Sequence, residues 1–468
     1  MNNIVKLESG KSVEFQGDRN KSVHKGGSLL GKGGQGAVYL VKECDTERTF
    51  ALKVYNTPVS NVFVENLRKN IANGAPNDSF VWPLDLTEPM GKNSDQYGYT
   101  MELFEYSNYT SFARILKGKT TFPSKEKQIQ TLMNLAKAID SLHSRGLCYQ
   151  DLNDGNVMFD CQNGKVLICD NDNIAPCGIN IPFDSEGHCI QGKLKYMAPE
   201  VAAKILKPDE YSDRFSLAVL IFMILLHAHP FDGVKRLEGQ LTVSVQEKIY
   251  GTEPVFIFHP TDKSNHPDPQ IDINAIKAWP TIPDFIQDLF IKTFTSGMPS
   301  VGKRRDDLQI ERQGRTSEKE WREALHRWID TTADCPNCNH AICATIQGNA
   351  FVDTKCPHCG KKVKVVRPIL IIKKNGKVER TIVLEAGKEV AKSSVTNERS
   401  NEPAFVVKRS KKVSDAFGIE NLLPYQWKCS QKGSKDRLVN THEMVAAFNG
   451  VYIEFDYTYS GEIIYSKY

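Results

Sequence analysis

Leu30-Gly31-Lys32-Gly33-Gly34-Gln35-Gly36-Ala37-Val38, followed shortly by Ala51-Leu52-Lys53, is the stretch on which the reading of this chain turns. Glycines at 31, 33 and 36 let backbone amides fold over phosphate oxygens without side-chain collisions, and an ammonium on the next strand neutralises phosphate charge. About a hundred residues on, Asp151 and Asn156 sit five apart, and Asp170 follows with Met197-Ala198-Pro199-Glu200 behind it. Asp151 is suited to accept a hydroxyl proton, and Asn156 with Asp170 to hold Mg²⁺. Together these residues predict phosphoryl transfer from ATP.

The rest of the chain bounds that reading. Its 468 residues imply roughly two to four folding units, and 40% hydrophobic content is enough for a substantial core. A net charge of +4 is small for this length and does not by itself suggest a nucleic-acid or membrane protein. The N-terminal Met1-Asn2-Asn3-Ile4-Val5-Lys6 lacks the apolar core of a secretory signal. The longest apolar run, Leu217 to Leu226, suits a buried helix better than a membrane span. A cytoplasmic location with no membrane contact is therefore expected. Of twelve cysteines, four form two Cys-x-x-Cys pairs and the rest are scattered, which predicts a metal site plus free thiols.

Alternation predicts strands over Ala37–Val41 and Phe50–Val54 around a polar turn, and another over Tyr97–Phe104. Val62, Leu67 and Ile71 give Asn61 to Ala72 a helical spacing that stops near Asn73-Gly74. These elements make a small, mostly β lobe. Beyond Lys125 helices dominate, over Ile129–Ser144, Tyr211–Ala228, Pro283–Thr293 and Ser317–Ile329. After Val366 the pattern becomes β again, with an Asn375-Gly376 hairpin signal between Ile369–Ile372 and Thr381–Leu384, and a loop over Lys392–Pro403. No internal repeat of fixed period is present.

The glycines lead into Val38 and a lysine-bearing strand rather than opening a helix, and in that order the motifs resemble protein kinases over about residues 25–330. The resemblance implies an α+β bilobal fold and a role for each matching position. Lys53 would contact the α- and β-phosphates, with Glu65, the only acid of the small-lobe helix, as its carboxylate partner. Met101 would stand at the back of the nucleotide pocket. Backbone groups of Glu102 to Phe104 would read the adenine edge, and Val38, Ala51 and Met158 would sandwich the ring. Asp151 matches the catalytic aspartate, and Asn156 and Asp170 the Mg²⁺ ligands. Asp213 would brace the catalytic loop, and Glu200 would pair with Arg315.

The departures are informative. Tyr149-Gln150-Asp151 replaces His-Arg-Asp, so a phosphate on the activation segment loses its usual partner. Between Asp170 and Glu200 there is no threonine and Ser185 is the only serine, so activity is expected without phosphorylation there. Asn153 stands where the resemblance places a lysine, and Lys193 where it places a threonine. The ammonium near the γ-phosphate has then moved to the opposite wall, or Lys193 is only a solvated lysine. Asp170-Asn171-Asp172 replaces Asp-Phe-Gly; Asp172 joins the metal site or, as favoured, caps a turn.

Cys335-Pro336-Asn337-Cys338 and Cys356-Pro357-His358-Cys359, separated by residues 339–355, have the spacing of a Cys₄ zinc ribbon with structural Zn²⁺. His340, Cys343 and His358 are nearby alternatives to one ligand, and the lysines at 361, 362 and 364 read as a solvated face. Residues 367–468 read as an all-β sandwich. Its Glu385–Val390, Gly418–Leu422, Gln426–Lys428 and Gly461–Ile463 segments resemble a forkhead-associated domain. Such domains grip phosphothreonine with an arginine, a serine and a histidine. Lys392 stands at the first position and no histidine occurs between His358 and His442, so docking or self-association is an equal reading. The basic run Lys408–Lys412 reads as an exposed loop.

The expected domains are thus 1–104 and 105–330 for the two kinase lobes, 331–366 for the ribbon and 367–468 for the sandwich. Phe80–Leu86, Val166–Asn173 and Phe256–Pro260 further resemble a bacterial kinase encoded with a von Willebrand A protein and a phosphatase in tellurite-resistance-type gene clusters. That resemblance implies a protein substrate, with the von Willebrand A protein as a candidate, and a cognate phosphatase. The alternative is a nucleotide-binding pseudokinase scaffold that docks partners through its ribbon and β domain.

Overall fold

The computed structural model describes residues 3–91, 95–104, 106–190, 192–299, 305–348, 350–398, 400, 402–410, 413, 416–431 and 435–465. Parts of the expected 392–403 loop and Lys411 and Lys412 of the basic run lie outside them. The chain forms two compact units, Met1–Trp279 with Asp284–Glu323, and Pro280–Pro283 with Ala324–Tyr468.

The first unit begins with a small lobe around one eight-stranded sheet. Its strands are β1 (Ile4–Lys6), β2 (Ser12–Phe15), β3 (Asp18–Ser22), β4 (Gly27–Lys32), β5 (Gly36–Glu43), β6 (Thr49–Tyr55), β7 (Pro83–Leu86) and β8 (Gly98–Glu102). The glycine-rich stretch links β4 to β5, and β5 pairs antiparallel with β6 so that Val38 lies opposite Lys53. Gly36 is dictated by this crossing, because a Cβ there would meet the Val54 carbonyl oxygen at 2.5 Å. Gly31 has nothing within 4 Å of such a Cβ, so its side stays open for a ligand.

Helix α1 (Asn61–Asn73) starts where Ser60 accepts from the Phe63 amide at 3.1 Å and stops at Gly74, whose φ is 67°. Its inward face is Phe63, Val64, Asn66, Leu67 and Asn70, whereas Val62, expected on that face, is 54% exposed. The helix is rotated because Phe63 stacks edge-on against Tyr55 and Phe183, an aromatic contact that outweighs one valine.

The large lobe is helical, with Lys125–His143, Glu210–Leu226, Asp284–Phe294 and Glu318–Thr331 close to their expected positions. Leu217 to Leu226 is buried nearly all round, as its composition requires. Asp209 caps that helix on the amides of Tyr211 and Ser212 and is itself held by Arg312. Among the described residues no helix is long and apolar enough to cross a membrane.

The second unit is a β sandwich with the cysteine pairs beside it. One sheet runs Lys377–Val383, Ile369–Lys374, Tyr459–Ile464, Val451–Glu454, Trp427–Gln431, Arg437–Val439; the other runs Glu389–Ala391, Pro403–Arg409, Phe417–Asn421, Met444–Ala446. All their pairings are antiparallel. Asn375 and Gly376, at φ 48° and 78°, turn the first hairpin as their sequence predicts. Leu370, Phe405, Trp427 and Phe455 fill the space between the sheets, with Trp427 edge-on to Phe455 at 5.1 Å.

Candidate active site

The site lies between the two lobes of the first unit, where β6, the loop after Cys148 and the turn after Ile168 meet. Lys53 on β6 reaches Asp170 Oδ1 at 2.5 Å and Asp172 Oδ2 at 2.7 Å. Burial works against the lysine's charge, yet the two carboxylates more than offset it and hold the ammonium above its ordinary pKa. Asp170 has left-handed backbone, φ 59°. Its carboxyl is raised by burial and by the Asp172 charge beside it.

Asp151 and Asn156 lie on the same loop, with Asn156 Nδ2 donating to the Asp151 carbonyl at 3.0 Å and to Asp151 Oδ2 at 3.2 Å. Asp151 Oδ1 accepts from Asn153 Nδ2 at 2.7 Å and from the Lys193 amide at 3.3 Å. Burial pushes the Asp151 carboxyl up to about 6 against these hydrogen bonds. Lys193 Nζ pairs with Asp154 at 2.7 Å, so it lies across the catalytic loop as well as on the activation segment.

One buried carboxylate braces that loop, and a buried ion pair lies farther along the chain. Asp213 accepts from the amides of Tyr149 at 2.5 Å and Gln150 at 3.1 Å, the brace that the resemblance implies. Glu200 and Arg315 form a two-pronged ion pair at 2.8 and 2.7 Å. Tyr149, in place of histidine, donates its hydroxyl to the Cys169 and Asp170 carbonyls, linking Asp151 to Asp170 through their neighbours. His143 bridges Asp213 and Glu318 at 3.1 and 3.0 Å. Burial opposes its charge, but the two acids raise its pKa to about 10, while Glu318 is held down to about 2 against burial by His143 and Arg214.

Val38, Ala51, Met101, Phe104 and Met158 gather into one apolar cluster. Glu102 lies next to them and turns its side chain out to Arg48. The glycine stretch leads directly into Val38's strand, so a turn bare of side chains at its glycines and an apolar shelf adjoin each other. Asp170 and Asp172 share one buried ammonium here and Asp151 lies on the neighbouring loop with no cation paired to its carboxylate among the described residues, a donor set with negative charge to spare for Mg²⁺.

Two expectations are corrected. Glu65 does not reach Lys53; it is 59% exposed and pairs with Arg68, whose guanidinium also grips Glu8 of the N-terminal hairpin. Asp172 is no turn cap. It is fully buried and accepts from both Lys53 and the Tyr55 hydroxyl at 2.7 Å. Asn171 is equally buried and bonds the Val81 and Ile168 carbonyls, a polar anchor where the resemblance has an apolar plug. Sequence reasoning noted Tyr149 and Asn153 as departures but assigned neither a contact, and it missed His143; the signal available for His143 was its place at the end of the helix that leads into the loop.

In the second unit Cys335, Cys338, Cys356 and Cys359 bring their sulfurs within 4.8 Å of one another, with Cys338 and Cys356 at 3.7 Å. A tetrahedral Zn²⁺ with Zn–S of about 2.3 Å needs sulfurs about 3.8 Å apart, so the donor set fits that metal. His340 and His358 stack on each other at 4.5 Å beside this complete set.

The first unit is thus laid out as a protein-kinase-like catalytic domain. Residues 24–295, more than half of the chain, match the protein kinase domain model, and the chain belongs to that family. It is similar to serine/threonine-protein kinase sck2 of Schizosaccharomyces pombe, 27% identical over 208 residues, 43% of this chain and 31% of that protein. Ribosomal protein S6 kinase alpha-3 of Homo sapiens is 26% identical over 232 residues, 47% of this chain and 29% of the relative. CBL-interacting protein kinase 14 of Oryza sativa subsp. japonica is 27% identical over 221 residues, 45% and 47% of the two chains. The chain spans less than half the length of each of these relatives. The domain is therefore of the Ser/Thr-kinase-like kind.

Proposed function

We propose that this chain is an active ATP- and Mg²⁺-dependent protein kinase that phosphorylates serine or threonine hydroxyls of a partner protein. The observation that carries the reading is the convergence of Lys53, Asp170, Asn156 and Asp151 beside the apolar shelf of Val38, Ala51 and Met158. In this reading Lys53 pairs with the α- and β-phosphates while the turn from Gly31 to Gly36, bare of side chains at its glycines, lets the backbone approach the β- and γ-phosphates. Asp151, steered by Asn153 and Asn156, takes the hydrogen bond of the acceptor hydroxyl and aims its oxygen at the γ-phosphorus. Asn156 and Asp170 would hold Mg²⁺, which would supply positive charge against the phosphates. Lys193, tethered to Asp154 beside Asp151, supplies the second cation at the acceptor side.

The wider reading is a cytoplasmic bacterial signalling kinase with a cognate phosphatase and a von Willebrand A protein as candidate substrate. It rests on the quoted segments and the absence of a spanning helix among the described residues. The cysteine pairs are read as a zinc ribbon and the two-sheet sandwich as forkhead-associated-like. Lys392 pairs with Glu402 at 2.7 Å, which favours protein docking over phosphothreonine capture by that residue.

The test is incubation of the purified full chain with γ-labelled ATP, Mg²⁺ and a protein acceptor, beside Asp151→Ala. Transfer that falls at least a thousandfold in the variant, with MgATP affinity kept, is the expected result. MgATP binding without transfer by the unaltered chain replaces this reading with a pseudokinase scaffold.

A further inference from the structure

A buried ammonium needs a carboxylate partner, and in this molecule the partner comes from an unexpected place. Helix α1 carries one acid, Glu65, and it points to solvent. The inward face of α1 offers Phe63, Val64, Asn66, Leu67 and Asn70, with no carboxylate among them. Asn66 and Asn70 spend their amides on the Ile174 carbonyl, each at 2.8 Å. Arg68, with Glu8, ties the outer face to the N-terminal hairpin. The helix is thus fastened at both faces by bonds that do not involve Lys53.

Asp172 has the opposite character. Its side chain is 0% exposed, and one oxygen accepts from both Lys53 Nζ and Tyr55 Oη at 2.7 Å. Lys53 and Tyr55 are two apart on β6 and so share one face of the sheet. The turn carrying Asp172 is pinned from below by Asn171 on the Val81 and Ile168 carbonyls. Asp170, the other partner of Lys53, is the residue that Mg²⁺ would draw away. Asp172 then remains to hold the ammonium.

We propose that Asp172 is the positioning residue for Lys53, taking the part of an α1 carboxylate, so that nucleotide engagement is independent of any swing of α1. This rests on the kinase reading for the role of Lys53, but its test needs only nucleotide binding.

The experiment is a double-mutant cycle on the full chain, reading MgATP affinity with a fluorescent ATP analogue for Asp172→Asn, Lys53→Met and both together. Asp172→Asn should weaken MgATP at least tenfold alone and less than twofold in the Lys53→Met background. A merely structural role would lower affinity equally in both backgrounds and overturns the proposal. So does Asp172→Asn binding like the unaltered chain, or Glu65→Gln showing the non-additivity instead. If Asp172→Asn does not fold, an experimental structure of the unaltered chain with Mg²⁺ and a non-hydrolysable ATP analogue decides. Lys53 within hydrogen-bond reach of Asp172 supports the assignment, and Lys53 moved to Glu65 overturns it. An unaltered chain that binds MgATP without transferring phosphate would end the kinase reading and leave this one standing; one that binds no MgATP ends both.

Discussion

The two units solve the same problem, holding a small set of reactive side chains in place, by opposite means. In the first, charge is buried freely: Lys53 with Asp172, Glu200 with Arg315, Asp209 with Arg312, and His143 between Asp213 and Glu318. Lys53–Asp172, His143–Asp213 and Glu200–Arg315 each involve a residue in, or bonded to, the 149–156 loop or the 170–200 segment, and Asp209–Arg312 fixes the start of the helix after it. The second unit has a large apolar core and few buried charges among the described residues, the most deeply buried being Lys388 and Asp330. Lys388 donates to the carbonyls of Ile329, Asp330 and Thr332, and Asp330 pairs with Arg380. The lesson is that ion pairs fix direction where chemistry needs it, while apolar packing and four sulfurs suffice where only shape is needed.

The comparison breaks most sharply at the metal. With Zn²⁺ held by the four thiolates as proposed, stripping it, or Cys356→Ser, should cost the second unit on the order of 10 kcal/mol of its folding free energy. Loss of one equivalent of zinc together with loss of the unit's unfolding transition is the expected calorimetric result. The effect should spread into the sandwich, because Val383 shares the apolar cluster of Cys335 and Cys356.

Arg315→Met leaves Glu200 buried and unpaired, and should lower the stability of the kinase unit by about 3–5 kcal/mol in urea titration. His143 comes next. Its folded pKa of about 10 lies above the ordinary value of 6.5, so its contribution is complete below pH 6.5 and is lost as pH rises through about 10. Glu318, depressed to about 2, loses its share only as pH falls below the ordinary carboxylate range toward 2. His143→Asn should therefore cost a few kcal/mol at pH 6, with the gap closing toward pH 10. Urea midpoints at pH 6, 8 and 10 check it.

Smaller effects sharpen the assignment of the acceptor wall. Lys193→Ala should cut phosphotransfer about tenfold with little change in MgATP affinity, since its ammonium is half exposed and acts only near the γ-phosphate. Ser185→Ala should stay within about twofold of the unaltered rate, because Ser185 is exposed and the segment lacks the arginine that would read a phosphate there. An inactive but folded Ser185→Ala chain would contradict this.

Much of the architecture was legible because its signals are local. Alternation at 37–41 and 50–54 marked β5 and β6, Asn73-Gly74 marked the end of α1, and Asn375-Gly376 announced a hairpin. The pairing of Glu200 with Arg315, 115 residues apart, was also legible, through a resemblance that supplies long-range order. Other features gave no such signal. Val62 and Phe63 differ by one position on a helix, and only contact with Tyr55 and Phe183 decides which turns inward. Nor does any local pattern say that Asp172 is buried, since an acid after a turn asparagine is ordinarily solvated.

What the residue order dictated was the chemistry at hand: which ammonium, acids, amides and thiols exist, and which element carries each. Partner choice was left to the folded molecule. The reading of the chain pairs Lys53 with Glu65 and makes Asp172 a turn cap, and nothing in their sequence neighbours speaks against either. The packed lobe ranks them by geometry, turning one toward Arg68 in water and closing the other against Lys53 and Tyr55. Coulomb attraction is strong only where water is excluded, and which acid loses its water is a property of the assembled core.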